Sequence, residues 1–297
     1  MEESLVVGVD GSEPSLHAVD WAADEAALRG APLRLVYASM WEQYEGAALS
    51  PDLGRTSEEI LADKIVEAAG RRAQRRRPDV KTVTEVLRDA PVPALVREAR
   101  TASLLVLGSR GRGGIAELLL GSVSLAVAAH ADCPVIVLRG RHEPQPDFAA
   151  HGRILLGVGE GKRSSAGVRF AFDEAKRRGV VLEAVRAWRC PAHESTDHPL
   201  LAGEPARLHE QQAVETLAEA VDEMAAEYPT VDLRRRTPEG TARKVLLDAS
   251  ASADLLVVGA RRRNGHFGLQ LGRVAHTALH HSACPVAVVP GVAEHRP

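Results

Sequence analysis

A chain of 297 residues with 45% hydrophobic and 26% charged side chains can bury one large core or two medium ones, which excludes disorder as its main state. A formal net charge of −3 and 3% aromatics provide neither the positive field nor the stacking platforms of a nucleic-acid binder. Three cysteines without CxxC or Cys/His spacing exclude a disulfide framework and suit a reducing cytoplasm, the expected location.

The start, Met1-Glu2-Glu3-Ser4, is acidic where a secretory signal is basic, so no signal is expected. Residues 5–9 form a short apolar run ending at Asp10-Gly11-Ser12, a turn that can start a helix. The helix that follows places Leu16, Val19, Ala23, Ala26 and Ala27 on one face, and Gly30 ends it. Residues 33–38 read as a second strand, and a long loop with Trp41 and Pro51 leads to a helix over residues 57–77. Strand 83–87, helix 94–100, strand 104–107, helix 121–130 and strand 135–138 complete the alternation. The longest apolar stretch, residues 118–138, contains His130, Asp132 and Pro134, so it reads as helix, turn and strand and no membrane span is expected. Strands that are unbroken Val/Leu/Ile runs imply burial on both faces, hence a parallel sheet covered by helices.

The chain then repeats itself. Val7-Gly8-Val9 recurs as Leu156-Gly157-Val158 and Asp24-Glu25-Ala26 as Asp173-Glu174-Ala175, while His130-Ala131-Asp132-Cys133-Pro134-Val135 recurs as His281-Ser282-Ala283-Cys284-Pro285-Val286. A nearly constant spacing means duplication of a whole domain. The expected plan is a first domain over 1–140, a proline-bearing linker over 141–151 and a second domain over 152–297, each a doubly wound five-stranded parallel sheet. The fifth strands, 135–138 and 285–289, should lie at sheet edges and pair with one another, within the chain or between chains; a homodimer is the weaker expectation.

In such sheets ligands bind beyond the carboxyl ends of the strands, where strand order reverses. Order 3-2-1-4-5 would bring two segments to one crevice: Gly8-Val9-Asp10-Gly11-Ser12 after strand one, and Gly108-Ser109-Arg110-Gly111-Arg112-Gly113-Gly114 after strand four, whose loop closes at Gly121-Ser122-Val123-Ser124. Glycines let backbone amides approach an anion, a helix start adds free N–H groups, Ser122 and Ser124 can donate hydroxyls, and Arg110 and Arg112 add charge. The same residues also suit a flexible surface loop with an N-capping serine, and Asp10 also suits a plain N-cap. No Ser-His-Asp order, nucleophile elbow or metal-holding acidic pair is visible. Three basic clusters stand out: Arg71 to Arg77, read as the solvated end of a helix, Arg234 to Arg236, and Arg261 to Arg263 beside the second copy's loop.

At these residues the chain resembles the tandem-domain members of the universal stress protein family. The family's ATP signature is a glycine, two residues, a glycine, nine residues, then glycine and serine or threonine, and Gly108, Gly111, Gly121 and Ser122 fit it in order. The resemblance covers nearly the whole chain. It implies an adenine nucleotide α-hydrolase-like fold and a stress-response module that binds ATP with Mg²⁺ and acts on a regulatory protein partner. It also implies that Gly8 and Asp10 sit by the nucleoside, Asp10 accepting from the ribose, that Ala38 offers backbone bonds to adenine, and that Gly108 to Gly114 with Ser122 and Val123 cradle the phosphates. The alternative is an enzyme, a slow ATPase or an adenylating enzyme of a related fold.

The second copy departs from the signature. Gly157, Gly259 and Gly272 remain, but Gly159 stands where Asp10 does, Arg262 replaces Gly111 and Arg273 replaces Ser122; a one-residue slip would let Glu160 replace the aspartate. A degenerate second site is therefore expected. Two weaker signals fail: Gly111-Arg112-Gly113-Gly114-Ile115-Ala116 lacks the helix and acidic residue of a dinucleotide fingerprint, and Gly159-Glu160-Gly161-Lys162-Arg163-Ser164 misses two P-loop positions. His130 with Cys133, and His281 with Cys284, suit capping and core roles rather than metal binding.

Overall fold

The computed structural model describes residues 3–40, 57–109, 120–138, 151–159, 165–191, 204–260 and 271–291. The chain divides into two compact units, Met1–Arg139 and Gly140–Pro297. In the first, β1 (Leu5–Gly8), α1 (Glu13–Arg29), β2 (Leu33–Ala38), α2 (Ser57–Arg76), β3 (Thr82–Leu87), α3 (Pro91–Glu98), β4 (Leu104–Gly108), α4 (Ser122–His130) and β5 (Val135–Leu138) alternate in sequence. The second unit follows the same plan: β6 (Arg153–Gly157), α5 (Ser165–Arg178), β7 (Val181–Val185), α6 (Glu204–Glu227), β8 (Leu233–Arg236), α7 (Ala242–Ser250), β9 (Leu255–Ala260), α8 (Arg273–His281) and β10 (Val286–Pro290).

All pairings within each unit are parallel. The order is β3-β2-β1-β4-β5 in the first unit and β8-β7-β6-β9-β10 in the second, so both are doubly wound sheets of order 3-2-1-4-5. Strands β1 and β4, at the centre of the first sheet, are almost wholly buried, as their continuous apolar runs require: Leu5, Val6, Leu104 and Leu105 are fully inaccessible. Strands β3 and β8, at one end of each order, depart from that expectation; β8 reads Leu-Arg-Arg-Arg and is largely exposed, its charges protecting an edge.

Local chemistry sets most boundaries. Ser12 caps α1 by accepting from Ser15 N at 3.4 Å, and Gly30 ends it in the left-handed region at φ 63°. Helix α3 starts at Pro91, three residues before the apolar pattern predicts, because proline is pre-organised for a first turn. The arginine cluster at the end of α2 is not simply solvated. Arg72 forks onto Asp20 at 2.8 and 2.6 Å, and Arg76 and Arg77 both reach Asp24, which ties α2 to α1. The cysteines at the start of β5 and β10 are core residues: burial pushes the Cys133 thiol up to about 12 and the Cys284 thiol up to about 11. His130 is bonded through Nδ1 to Ala126 O at 2.7 Å, a helix-end role.

Glu183 on β7 is 5% exposed and accepts from Arg153 and Arg236. Burial pushes its carboxyl up, but the two guanidinium bonds outweigh that and hold it below the usual carboxylate range. A depressed folded value contributes stability that is present above the ordinary glutamate pKa of about 4.3 and lost as pH falls through the lower folded value. Glu183→Gln is therefore expected to destabilise the second unit by about 1.5 to 3 kcal/mol at neutral pH, with a smaller difference in acid. Urea midpoints at pH 7 and pH 4 check this, and a difference that grows toward acid would contradict it.

Candidate functional site

In the first unit strand order reverses at β1 and β4, which run side by side with Gly8 level with Leu107. Beyond Gly8 the chain turns through Asp10. Asp10 Oδ1 accepts from Ser12 N at 3.0 Å and Ser12 Oγ at 2.6 Å, so the turn orients the carboxylate while Ser12, not Asp10, caps the helix. Ser15, buried, closes this turn: its hydroxyl donates to Ser12 O at 2.8 Å and accepts from Asp10 N at 3.4 Å. Nothing in the motif pattern singled out Ser15.

Gly108 ends β4 against this turn. A Cβ there would lie 2.6 Å from the Pro14 carbonyl carbon, 2.7 Å from its oxygen and 2.9 Å from Ser15 N, so only glycine lets the first turn of α1 rest on the end of β4. The contact brings the Asp10 turn and the end of β4 together. Gly8 serves packing, since its Cβ would lie 2.6 Å from a Leu107 methyl and 3.2 Å from Leu95.

Gly121 N donates to Ser109 O at 2.8 Å, drawing the start of α4 back to the end of β4. Gly121 is the N-cap of α4 and supplies no side-chain bond, and Ser122 lies inside the helix, so no serine caps α4. The amides of Ser122, Val123 and Ser124 have no intrahelical acceptor by position, whereas Leu125 N reaches Gly121 O at 3.1 Å. Ser122 is exposed at this end. Ser124 has an inward role: it is buried and its hydroxyl donates to Gly108 O at 2.7 Å, clamping strand to helix instead of pointing outward.

Ala38 ends β2. Val9 N donates to Val36 O and Ser39 N to Leu87 O, so strand alternation turns the N–H and C=O of Ala38 toward the β1 side, past the last β1 residue that pairs with β2. Arg110, Gly111, Arg112, Gly113 and Gly114 lie outside the described residues, as do Glu160 and Arg262. Around the reversal stand an oriented carboxylate, an open backbone edge and a helix N-terminus without a side-chain cap. These complement, in turn, hydroxyls, a hydrogen-bonding ring and an anion.

The second unit keeps the frame and changes the groups. Gly157 serves packing as Gly8 does, against Leu246 at 2.8 Å and Val258 at 3.5 Å. Gly272 caps α8 with no side-chain bond, and Arg273 is its first helical residue. Gly159, at the position of Asp10, is exposed and brings no carboxylate. Gly259 is exposed with no described atom within 4 Å of its Cβ direction, unlike Gly108. Two differences escaped the motif comparison. Ala275 occupies the position of Ser124, so the clamp hydroxyl is missing, and Arg186, which replaces Tyr37, places Nη1 3.4 Å from Val158 O at the mouth of the crevice. The repeat spacing alone could have flagged both.

Among the described residues no group of three or more His, Cys, Asp or Glu is placed to hold a metal ion, and no helix is long and apolar enough to cross a membrane.

A universal stress protein of Mycobacterium bovis is 34% identical over 304 residues, spanning 97% of this chain and 97% of the relative. One from Mycobacterium tuberculosis is 33% identical over 301 residues, spanning 96% and 95%. The crystal structure of a universal stress protein from Archaeoglobus fulgidus shares the fold, with a TM-score of 0.69 at 17% identity over 97% of this chain and 98% of that one. Residues 1–139 and 151–290 each match the universal stress protein family, and the chain belongs to that family as a tandem of two of its domains.

Proposed function

We propose that the chain is a stress-response regulatory module that binds ATP with Mg²⁺ at the β1/β4 reversal of its first unit and presents a nucleotide-dependent surface to a protein partner. The observation that carries this reading is the meeting of three kinds of group at one reversal: Asp10 oriented by Ser12, the β1-facing backbone of Ala38, and the N-terminus of α4 with no side-chain cap. Asp10 accepts from the ribose, Ala38 meets adenine, and the amides of Ser122 and Val123, with the 108–114 glycines and arginines, take the phosphates. Gly108 and Ser124 also hold the cradle together, Gly108 by admitting the first turn of α1 and Ser124 by donating to Gly108 O.

A hydrogen bond to a charged acceptor is worth about 1.5 to 3 kcal/mol, so Asp10→Ala is expected to weaken ATP roughly tenfold to a hundredfold. Calorimetric titration of wild type and variant with ATP and Mg²⁺ measures this, and urea midpoints check that the Asp10 turn survives. Wild-type affinity in a folded Asp10→Ala variant would move the ligand elsewhere. Prolonged incubation with ATP followed by chromatography of the nucleotide separates a binder from an enzyme: fast turnover or AMP formation would replace the regulatory reading with a catalytic one.

A further inference from the structure

We propose that the two units carry opposite charge codes on equivalent contacts, and that the codes keep the β-α-β segment of one unit from docking on the α-β segment of the other as the chain folds. Equivalence is set by backbone. Leu33 pairs with Thr82 as Leu182 pairs with Leu233, and Arg77 N bonds Ala73 O as Tyr228 N bonds Met224 O. Thus Asp20 corresponds to Arg169, Arg34 to Glu183, Arg72 to Glu223, Arg76 to Glu227 and Glu85 to Arg236.

These five correspondences reverse charge, in two separate layers, whereas Asp24, which binds Arg76 and Arg77, keeps its sign as Asp173, which accepts from Tyr228. Between helices, Asp20 on α1 binds Arg72 on α2, whereas Arg169 on α5 binds Glu227 on α6 at 3.0 Å. In the sheet, Arg34 on β2 binds Glu85 on β3 and also Glu98 at 2.6 Å; Glu183 on β7 binds Arg236 on β8 at 2.7 Å and also Arg153. Each native contact is complementary. Exchanging the segments would set Asp20 against Glu223 and Glu227, Asp24 against Glu227, Arg34 against Arg236, Arg169 against Arg72 and Arg76, and Glu183 against Glu85, offset only by Asp173 meeting Arg76 and Arg77 in the place of Asp24.

Like charges facing one another across strands or helices destabilise, and they do so most where water is excluded. Glu98 and Glu183 are 12% and 5% exposed, so a second carboxylate beside either meets weak screening. Misassembly by exchange is a characteristic failure of repeat proteins, and here both halves share one strand order and helix plan. A pair kept only for its own attraction has no need of the opposite orientation in the second copy.

The test separates pair strength from discrimination, in the full-length chain. Asp20→Arg/Arg72→Glu keeps the native attraction but gives the first unit the helix code of the second. Asp20→Asn/Arg72→Gln loses the attraction and gains no false partner. Both are refolded from urea by dilution at low salt, native stability is read from urea midpoints, and misassembled chains are counted by size-exclusion chromatography with light scattering. The charge-exchanged variant is expected to be at least as stable as the neutral one yet to leave at least roughly threefold more misassembled chain, the excess shrinking at high salt. Misassembly that follows stability, with the neutral variant equal or worse, would overturn the proposal. If the exchanged variant does not reach a native state, Arg169→Glu/Glu227→Arg against Arg169→Gln/Glu227→Gln applies the same criterion to the second unit.

Discussion

Titration of the chain with ATP and Mg²⁺ is expected to saturate at one tight site per chain, in the first unit, with the second unit weaker by one to several powers of ten. Three polar groups are lost there: the carboxylate at Gly159, the hydroxyl at Arg273, and the clamp hydroxyl at Ala275, which in the first unit binds Gly108 O at 2.7 Å. Each lost contact to the ligand costs about 0.5 to 3 kcal/mol, the larger figure for the charged group. Arg262 also places a Cβ where the signature has Gly111. The opposing effect is charge, because Arg262 and Arg273 are cations at positions where the signature meets phosphate, and Arg186 adds a guanidinium at the crevice mouth. Loss is expected to win. Among the described residues Gly159 brings no carboxylate to the ribose position, and a guanidinium supplies charge without restoring a backbone cradle. Calorimetry on wild type beside Asp10→Ala decides it: two equivalent tight sites in the wild type, or tight binding undiminished by the substitution, would show that the second unit binds ATP in its own way.

Gly108→Ala is expected to destabilise the first unit by about 1 to 3 kcal/mol, the usual cost of overpacking, and to weaken ATP as well. The added methyl would meet the Pro14 carbonyl and Ser15 N at 2.6 to 2.9 Å, and these are backbone atoms in the first turn of a 17-residue helix. Relief requires moving α1 away from β4, which also moves the Asp10 turn away from the start of α4. Gly8→Ala should be milder, because its nearest contact, at 2.6 Å, is the methyl end of Leu107. Gly259→Ala is the matched control, expected within about 0.5 kcal/mol of wild type because its site is exposed with no described atom within 4 Å. Urea midpoints of the three variants measure the ranking, and equal midpoints for Gly108→Ala and Gly259→Ala would contradict the close approach of α1 to β4.

Much of this was legible in the amino-acid order because its causes are local. Unbroken apolar runs mark buried parallel strands, Ser12 and Gly30 punctuate α1, and the repeat announces itself at nearly fixed spacing, so the strand order and the reversal holding Asp10 and Gly108 could be placed without coordinates. Side-chain duties were not legible, because each depends on a partner far away in sequence. Ser124 looks like a ligand donor until the carbonyl of Gly108, 16 residues earlier, accepts its hydrogen bond. The α2 arginines look solvated until Asp20 and Asp24, about 52 positions away, are packed opposite them. The packing duty of Gly8 is invisible until Leu95 and Leu107 crowd its missing Cβ. Periodicity reports which face of an element is buried, and it determined the two domains and the place of the crevice. Which atom meets which was decided only when helices and strands distant in sequence closed on one another, since distance and direction between side chains exist only in the packed state.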